Sequence, residues 1–295
     1  MTVVLVTGVA VLDFVFHLDA MPRTAEKHRA REATITGGGN AANAATAVAR
    51  LGGTARLATR LGDDEVADLI EGGLAREGID TALVRRFPGR HSAFSSVFVA
   101  GDERQIVSFR DWSLPQEADW IDARFDAVLA DTRWPEAAAR AMRLARGRGL
   151  PAVIDAEAPL AGCEAALEAA THVAFGAQGL RDFCGHGDLE RGLREAHGRL
   201  PGTVLVTDGE HGTLWFEDGE RRHEPVVAVE AVDTLAAGDV WHGAFVLRLA
   251  RGDDLAAAVR YANAAATLKC TRIGGRDGAP TSAEVDRFMK DHACN

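Results

Sequence analysis

Short apolar runs and longer amphipathic or alanine-rich segments alternate along most of the chain. The runs VVLV, DAVLAD, PAVIDA and HVAFG are typical of strands buried in a parallel sheet. Helix-like segments such as PEAAARAMRLARGRG and DLERGLREAHGRL lie between these runs. Because strands that alternate with helices build parallel sheets covered on both faces, the pattern predicts an α/β fold.

Two regions in the first half break this alternation, and both have β-like patterns. Residues 13–36 contain the apolar islands FVFHL and EATIT. Residues 90–112 contain two alternating runs joined at AGDE, as expected for a hairpin. We expect the two regions to pair as a small sheet that stands off the main domain. No clear linker is present, so residues 1–295 are predicted to form a single domain with lid segments 13–36 and 90–112.

Composition narrows the classes of function. The 295-residue chain has a formal net charge of −10, which argues against a general binder of nucleic acid or anionic membranes. No apolar run approaches the roughly 20 residues that span a bilayer, and no basic segment precedes the first apolar run. Cys163, Cys184, Cys270 and Cys294 lack metal-ligand spacing and are interpreted as reduced thiols. We therefore expect a cytoplasmic protein.

The segment DTLAAGD, residues 233–239, lies between the β-like run VVAVEAV and a long apolar helix. Its small residues Ala236, Ala237 and Gly238 allow a ligand close to the backbone. A helix N-terminus adds unpaired N–H groups and partial positive charge, which together form a site suited to phosphate. Asp239 at the same end can accept a proton from an attacking hydroxyl. From this motif alone, a plain helix-capping role for Asp239 stays open.

Two further glycine turns are candidates for ligand contact. In TGGGNAANAA, Gly38 and Gly39 can admit a ligand against the backbone, and Asn43 can bind it from the first helical turn. The segment is neither GxGxxG nor a Walker loop, and helix–sheet packing is the alternative explanation of its small residues. In VTDGEHG, Thr207 and backbone amides can hold ribose or phosphate oxygens, with a plain hairpin turn as the alternative.

These motifs, in this order and spacing, resemble the ribokinase-type sugar kinases of the pfkB family. The resemblance extends over essentially the whole chain. It implies a three-layer α/β/α domain with a mostly parallel central sheet and a small β-sheet lid over the sugar site. It also implies that ATP supplies a phosphoryl group to a sugar hydroxyl. In this family the lid often forms a dimer contact, which implies a homodimer through the lid.

The resemblance also implies roles for individual residues. Asp239 matches the catalytic base, and the amides of Ala236, Ala237 and Gly238 match the anion hole. Sugar hydroxyls would be held by Asp13, Gly38, Gly39 and Asn43. The nucleotide would be bordered by Thr207, Gly209, Gly212 and Asn263. Asp233 and the carbonyl of Leu235 match a monovalent-cation site, which commonly holds K⁺.

One family feature is missing. Many members carry N-x-x-E after a central strand and use it to organise Mg²⁺ through water. Here the matching text is FGAQGL, with Gly176 and Gly179 in the motif positions. Magnesium often keeps several waters and few protein ligands, so we expect Mg²⁺ to rest on the ATP phosphates and waters, aided by Asp155 or Glu157.

Basic residues in the sugar half favour an anionic substrate. Lys27 lies in the first lid segment, Arg110 follows the second lid hairpin, and Arg133 follows a strand at the edge where α/β folds bind ligands. Within the family, VLADTRWPEAA and LKCTRIGGRDG resemble 6-deoxy-6-sulfofructose kinases. Lys27 and Arg133 match residues that grip the sulfonate there, but Ser108 stands in place of an asparagine. An anionic ketose or sugar acid is the hypothesis, and a sugar phosphate or a neutral ketose stays open.

Two alternatives to a sugar kinase remain. A nucleoside kinase of the same fold would need apolar and aromatic walls for the base, and the basic residues argue against it. A sugar-sensing pseudokinase would be consistent with the missing N-x-x-E, but the intact Asp239 and its turn argue against that reading.

Overall fold

The computed structural model describes residues 1–101 and 103–292. Cys294, predicted to be a reduced thiol, lies outside this part of the chain. The strands are β1 (Val3–Thr7), β2 (Val11–His17), β3 (Glu32–Gly38), β4 (Thr54–Gly62), β5 (Asp80–Phe87), β6 (Phe94–Ala100), β7 (Glu103–Phe109), β8 (Ala127–Ala130), β9 (Ala152–Ala156), β10 (His172–Gly176), β11 (Thr203–Thr207), β12 (Thr213–Glu217) and β13 (Glu220–Glu224).

The helices are α1 (Asn40–Arg50), α2 (Glu65–Arg76), α3 (Pro135–Gly147), α4 (Glu164–Ala169), α5 (Ala177–Cys184), α6 (Leu189–Arg199), α7 (Ala237–Ala250), α8 (Leu255–Cys270) and α9 (Ser282–His292). Short 3₁₀ turns cover Gly209–His211 and Gly275–Gly278. None of these helices combines the length and apolar character needed to cross a membrane.

The large sheet has the strand order β13-β12-β11-β10-β9-β8-β1-β4-β5. The pairings from β11 through β5 are parallel, and β12 and β13 add an antiparallel edge. Helices cover both faces: Val4 and Val6 point into a core with α1, α7 and α8, while Leu5 points into a second core with α3 and α6. The predicted three-layer α/β/α fold is therefore confirmed.

The predicted small sheet is also confirmed, with the strand order β3-β2-β6-β7. Its strands come from the two regions that break the helix–strand alternation. Since side chains alternate between faces along a strand, Asp13, Ser95 and Ser108 share one face through their pairing. The opposite face carries Phe94 and Phe109, whose rings lie 5.4 Å apart. The lid thus has one face that carries Asp13 and the two serines and an opposite face that carries aromatic rings.

Several elements differ from the sequence pattern. The β-like run 226–232 forms no strand, because this stretch crosses the surface from the sheet edge to the start of α7. Val232 and Asp233 there donate their N–H groups to the carbonyl of Cys270. Strand β5 was not predicted, because charged residues interrupt its apolar pattern. It pairs with β4 through an irregular register. Helices α5 and α9 were also not predicted.

A close crossing of α1 and α7 positions the two halves of the functional region. Eight of the eleven residues of α1 are buried, and most of these are alanine. A Cβ atom on Gly243 of α7 would lie 2.5 Å from the carbonyl oxygen of Ala44. Only glycine lets the helices approach this closely. The crossing brings Asn43 of α1 beside Asp239 of α7.

Candidate active site

A cavity of about 360 Å³ opens at the carboxyl ends of β9, β10 and β11. Its volume lies within the range of small-molecule sites. Ligands of open α/β sheets bind at this edge, beyond the carboxyl ends of the strands. The lining brings together residues from the lid, α1, the strand ends and the start of α7: Asp13, Gly39, Asn40, Asn43, Asp155, Glu157, Gly176, Thr207, Thr234, Leu235, Ala236, Ala237, Gly238, Asp239 and His242.

The turn before α7 exposes amides to this cavity. Ala236 adopts the left-handed conformation with φ 63°, although it is not glycine. Such strain in a non-glycine residue is typical of functional sites. Among the described residues, the N–H groups of Ala236, Gly238 and Asp239 make no backbone hydrogen bond. Ala237, which was predicted to join the anion hole, instead donates its N–H to the carbonyl of Thr234 at 3.2 Å.

Asp239 lies in the first turn of α7 and is held by α1. Asn43 donates its Nδ2–H to Asp239 Oδ2 at 2.7 Å. Burial and the neighbouring charge of Asp155 raise the pKa of Asp239 to about 7, against the opposing effect of the Asn43 hydrogen bond. A carboxylate with a pKa near neutrality, beside free amides, is suited to accept a proton from a bound hydroxyl.

Asp155 and Glu157 form an acidic wall of the same cavity. Asn40 donates to Glu157 Oε2 at 3.0 Å and to Asp155 Oδ2 at 3.4 Å. Burial, reinforced by Glu157 and Asp131, raises the pKa of Asp155 to about 8. Arg133 pairs with Glu157, whereas Asp155 and Asp239 accept hydrogen bonds from the neutral side chains of Asn40 and Asn43, so this part of the cavity favours a bound cation.

His242 lies one helical turn beyond Asp239. Its Nδ1 lies 2.8 Å from the carbonyl oxygen of Gly238, and its Nε2 lies 3.6 Å from Asp155 Oδ1. Burial lowers the pKa of His242, against the opposing charge of Asp239, so the ring is neutral at pH 7. The shorter contact assigns the proton to Nδ1. The ring therefore holds the carbonyl of Gly238 through Nδ1, and its Nε2 faces the carboxyl group of Asp155.

On the lid side, the predicted sugar residues Asp13, Gly38 and Gly39 lie together. A Cβ atom on Gly38 would lie 2.1 Å from Asp13 Oδ2, so a side chain there would displace the carboxylate. Gly39 has φ 93°, and its Cβ would meet the carbonyl of Val9 at 2.5 Å. Both positions therefore require glycine. Asp13 and Gly39 line the cavity, together with Asn43.

The predicted nucleotide residues separate into two groups. Thr207 lines the cavity, and Gly209 and Gly212 form the turn that follows it. Asn263 does not face the cavity. It is 4% exposed, its Oδ1 accepts from Thr213 at 2.7 Å and Trp241 at 2.8 Å, and its Nδ2 donates to the carbonyl of Glu224. Because its amide is fully engaged, Asn263 ties α8 to α7 and the sheet edge.

The predicted anion-binding residues are also separated. Lys27 is exposed in the segment between β2 and β3, and it does not line the cavity. Arg133 pairs with Glu157 and donates to the carbonyl of Ala158 at 2.9 Å. Burial and the charge of Arg133 lower the pKa of Arg110, against the opposing charges of Asp131 and Glu157.

Asp233 accepts hydrogen bonds and contacts a lysine. The N–H of Leu235 donates to its Oδ1 at 2.8 Å, and the N–H groups of Gly274 and Gly275 donate to its Oδ2 at 3.0 and 3.1 Å. Lys269 Nζ lies 3.3 Å from the same Oδ2. Burial raises the pKa of Asp233, but the backbone hydrogen bonds and Lys269 outweigh it, so the net shift is downward.

Comparison with known proteins identifies the family. Residues 1–282 match the sequence model of the family described as "pfkB family carbohydrate kinase". The chain belongs to the pfkB family of carbohydrate kinases. A ribokinase of Bacillus subtilis is 26% identical over 292 residues, which cover 96% of this chain and 98% of that protein.

Solved structures agree with this assignment. A ribokinase candidate from Agrobacterium tumefaciens superposes with a TM-score of 0.95 at 39% identity, covering 100% of this chain and 99% of that one. A ribokinase from Thermotoga maritima gives a TM-score of 0.86 at 26% identity, covering 98% and 100%. The chain is therefore a pfkB-family kinase, an ATP-dependent phosphotransferase with a ribokinase-type fold.

The acidic wall of this kinase has the chemistry of a magnesium site. Mg²⁺ prefers oxygen ligands and uses one or two carboxylates together with substrate phosphates. Asp155 and Glu157 offer such oxygens beside the amides of the 236–238 turn. They fit the ion without the N-x-x-E motif, and Mg²⁺ there would neutralise phosphate charge.

Three polar residues of the kinase site were missed from the sequence. Asn40 and His242 each sit one helical turn from a predicted residue, so helical spacing could have pointed to them. Lys269 contacts Asp233 from α8, thirty-six residues further along the chain. No local pattern marks that contact, because it forms only when the helix packs.

The raised pKa of Asp155 predicts a pH-dependent stability in the absence of ligands. Its folded-state value near 8 exceeds the unfolded value of about 3.9, so the folded state loses stability as pH rises through this interval. Asp155→Asn removes the buried charge. We expect it to raise Tm at pH 9 by at least about 2 °C and to leave Tm at pH 4 nearly unchanged.

Thermal unfolding of both proteins between pH 4 and 9 measures this effect. Asp291→Asn, on the exposed side of α9, is the matched control and should follow the wild type. A parallel pH dependence for Asp155→Asn and the wild type would contradict the prediction.

Proposed function

We propose that this kinase phosphorylates a hydroxyl group of an anionic ketose or sugar acid, using ATP and Mg²⁺ in the cytoplasm. The observation that carries the proposal is Asp239, a half-buried carboxyl group that lines the cavity in the first turn of α7, beside free backbone amides. Phosphoryl transfer needs positioning and charge stabilisation more than covalent chemistry, and this turn supplies both.

Each group at the turn has a defined part in the reaction. The sugar is oriented by Asp13 and Asn43, so that its hydroxyl meets Asp239. The carboxylate of Asp239 accepts the hydroxyl proton as the oxygen attacks the terminal phosphorus of ATP. The N–H groups of Ala236 and Gly238, with the positive end of α7, stabilise the charge on the transferred group.

Nucleotide binding is assigned to the other side of the cavity. Thr207 and the turn that contains Gly209 and Gly212 follow β11, next to Gly176 at the end of β10. Small residues at these positions leave room for phosphate and ribose. Asp155 and Glu157 would hold Mg²⁺ between the nucleotide and the sugar.

The preference for an anion rests on Arg110. Its guanidinium is half-buried, and burial and the like charge of Arg133 lower its pKa, so a bound anion would stabilise its charged form. Arg133 already pairs with Glu157, which leaves Arg110 as the group available to a sulfonate, phosphate or carboxylate of the substrate. Ser108 lies on the same lid face as Asp13, within the sheet that covers the sugar.

Replacement of Asp239 tests the catalytic assignment. Asp239→Asn keeps the shape of the side chain but cannot accept the proton, so we expect turnover to fall about 10²–10⁴-fold. Binding of sugar and ATP should be retained. ATP consumption is measured with 6-deoxy-6-sulfofructose, fructose 6-phosphate, 2-keto-3-deoxygluconate, fructose, ribose and inosine.

The same panel separates the alternatives. Phosphorylation of only neutral sugars would exclude the anionic substrate, and phosphorylation of only inosine would indicate a nucleoside kinase. Sugar binding by calorimetry without turnover in the wild type would indicate a sensor. Asp291→Asn is the control, and wild-type turnover in Asp239→Asn would remove Asp239 from the mechanism.

Replacement of Arg110 tests the anion preference. We expect Arg110→Gln to lower kcat/KM for the preferred anionic sugar by about 10–100-fold, since a hydrogen bond between charged groups contributes about 1.5–3 kcal/mol. Turnover of neutral fructose should change little. Steady-state kinetics with both sugars measure the difference, with the exposed Arg143→Gln of α3 as the control. Equal losses for both sugars would count against a role in anion recognition.

We also propose a homodimer through the lid. The lid face opposite Asp13 carries Phe94, Phe109 and Val107, and Val107 is 63% exposed. Apolar patches of this kind often mark protein–protein contacts. Sedimentation should find a dimer for the wild type and a monomer for Val107→Asp. Ile106→Asp changes the neighbouring residue on the other face and should stay dimeric. A monomeric wild type at micromolar concentration would refute the dimer.

A further inference from the structure

Lys269 is a fully buried lysine beside the phosphate-binding turn. It lies in the last turn of α8 with 0% of its surface exposed. Its Nζ donates to the carbonyl of Asp233 at 2.7 Å and to the carbonyl of Arg272 at 3.3 Å. The same nitrogen lies 3.3 Å from Asp233 Oδ2. Buried charges of this kind need a specific partner, and Lys269 finds three oxygens.

These oxygens are the type of ligands that a hard monovalent cation uses. Two of them belong to Asp233, the residue that the family resemblance assigns to a K⁺ site. The Asp233 carboxylate also receives N–H groups from Leu235, Gly274 and Gly275. Its hydrogen-bonding capacity is therefore largely used by protein donors.

A second cation does not fit beside this ammonium group. Bound to Asp233 Oδ2, a potassium ion would stand next to Lys269 Nζ, and two like charges at contact distance repel strongly in a buried site. The ammonium already neutralises the carboxylate. The predicted K⁺ site at Asp233 and Leu235 therefore disagrees with the donor set of this chain.

We propose that Lys269 is a built-in replacement for the monovalent cation, so that this kinase neither binds nor requires K⁺. The kinetic part of this inference rests on the proposed function, whereas the binding part does not. Lys269 acts as a positioning residue. By holding the carbonyl and carboxylate of Asp233, it fixes the entrance of the 234–238 turn, whose amides face the phosphate.

The location of Lys269 supports this role. A positive charge at the C-terminal end of a helix is favoured by the helix dipole, and Lys269 occupies the last turn of α8. Gly274 and Gly275 lie on the loop that follows this helix and donate to the same carboxylate. One lysine thus joins the end of α8, its following loop and the turn before α7.

The wild type provides the first test. Thermal unfolding and initial kinase rates are compared in potassium chloride and in tetramethylammonium chloride at equal ionic strength. A cation that binds the folded state raises Tm, so we expect the two Tm values to agree within about 1 °C. The initial rates in the two salts should agree within about twofold. A tenfold difference would correspond to a stabilisation by potassium of about 1.4 kcal/mol. A clear rise of Tm or a tenfold rise of rate in potassium overturns the proposal.

Removal of the ammonium provides the second test. Lys269→Ala leaves Asp233 with its charge and an empty space, so the variant should acquire a cation site. We expect its rate in tetramethylammonium to fall at least about tenfold, and potassium or methylammonium to restore it and raise Tm. A purely structural lysine would give a loss that neither ion restores. Lys290→Ala, which removes an exposed lysine of α9, should behave as the wild type in both salts.

The proposal can still be tested if the variant does not fold or if no substrate is found. If Lys269→Ala does not fold, the salt comparison on the wild type still decides the proposal. If no sugar of the panel is phosphorylated, the proposed function fails, but the Tm comparison still reports whether the folded chain binds potassium. A folded Lys269→Ala that responds to neither potassium nor methylammonium contradicts the role of Lys269.

Discussion

The close crossing of α1 and α7 is the constraint on which the active site depends. Gly243 and the alanines of α1 let the two helices approach until a single Cβ atom would collide with the carbonyl of Ala44. At this distance Asn43 reaches Asp239 across the helices at 2.7 Å. The proposed sugar side and the proposed phosphate side are therefore joined through one helix pair, and the packing of small side chains determines their relative position.

Charge is distributed unevenly around this helix pair. Loss of solvent raises the pKa of Asp155 to about 8, reinforced by the charges of Glu157 and Asp131, and raises the pKa of Asp239 to about 7, reinforced by the charge of Asp155. Such an arrangement destabilises the folded protein and is typical of a site that a metal ion completes. Asp233 differs, because backbone amides and Lys269 already surround it and lower its pKa. The same turn thus begins at a carboxylate that pairs with the ammonium group of Lys269 and ends at one that accepts a hydrogen bond from the neutral Asn43.

The sequence predicted those parts of the fold that local patterns encode. Strand–helix alternation predicted the layers, and the glycine motifs located Gly38, Gly39 and the 236–238 turn. Contacts between distant segments were not accessible in this way. Asn263 was expected to border the nucleotide, yet its Oδ1 accepts hydrogen bonds from Thr213 and Trp241 in the core. The β-like run 226–232 had the composition of a strand, but no strand of the described residues pairs with it.

Ala236 shows how the phosphate turn obtains its rigidity. A glycine would adopt φ 63° without strain, whereas alanine accepts it at a cost of about 1 kcal/mol or more. Such strain persists only where the surrounding structure fixes the backbone, so the packing around Ala236 holds the turn in this shape. The amides therefore keep their direction before any phosphate arrives. This pre-organisation reduces the ordering entropy that binding would otherwise have to overcome.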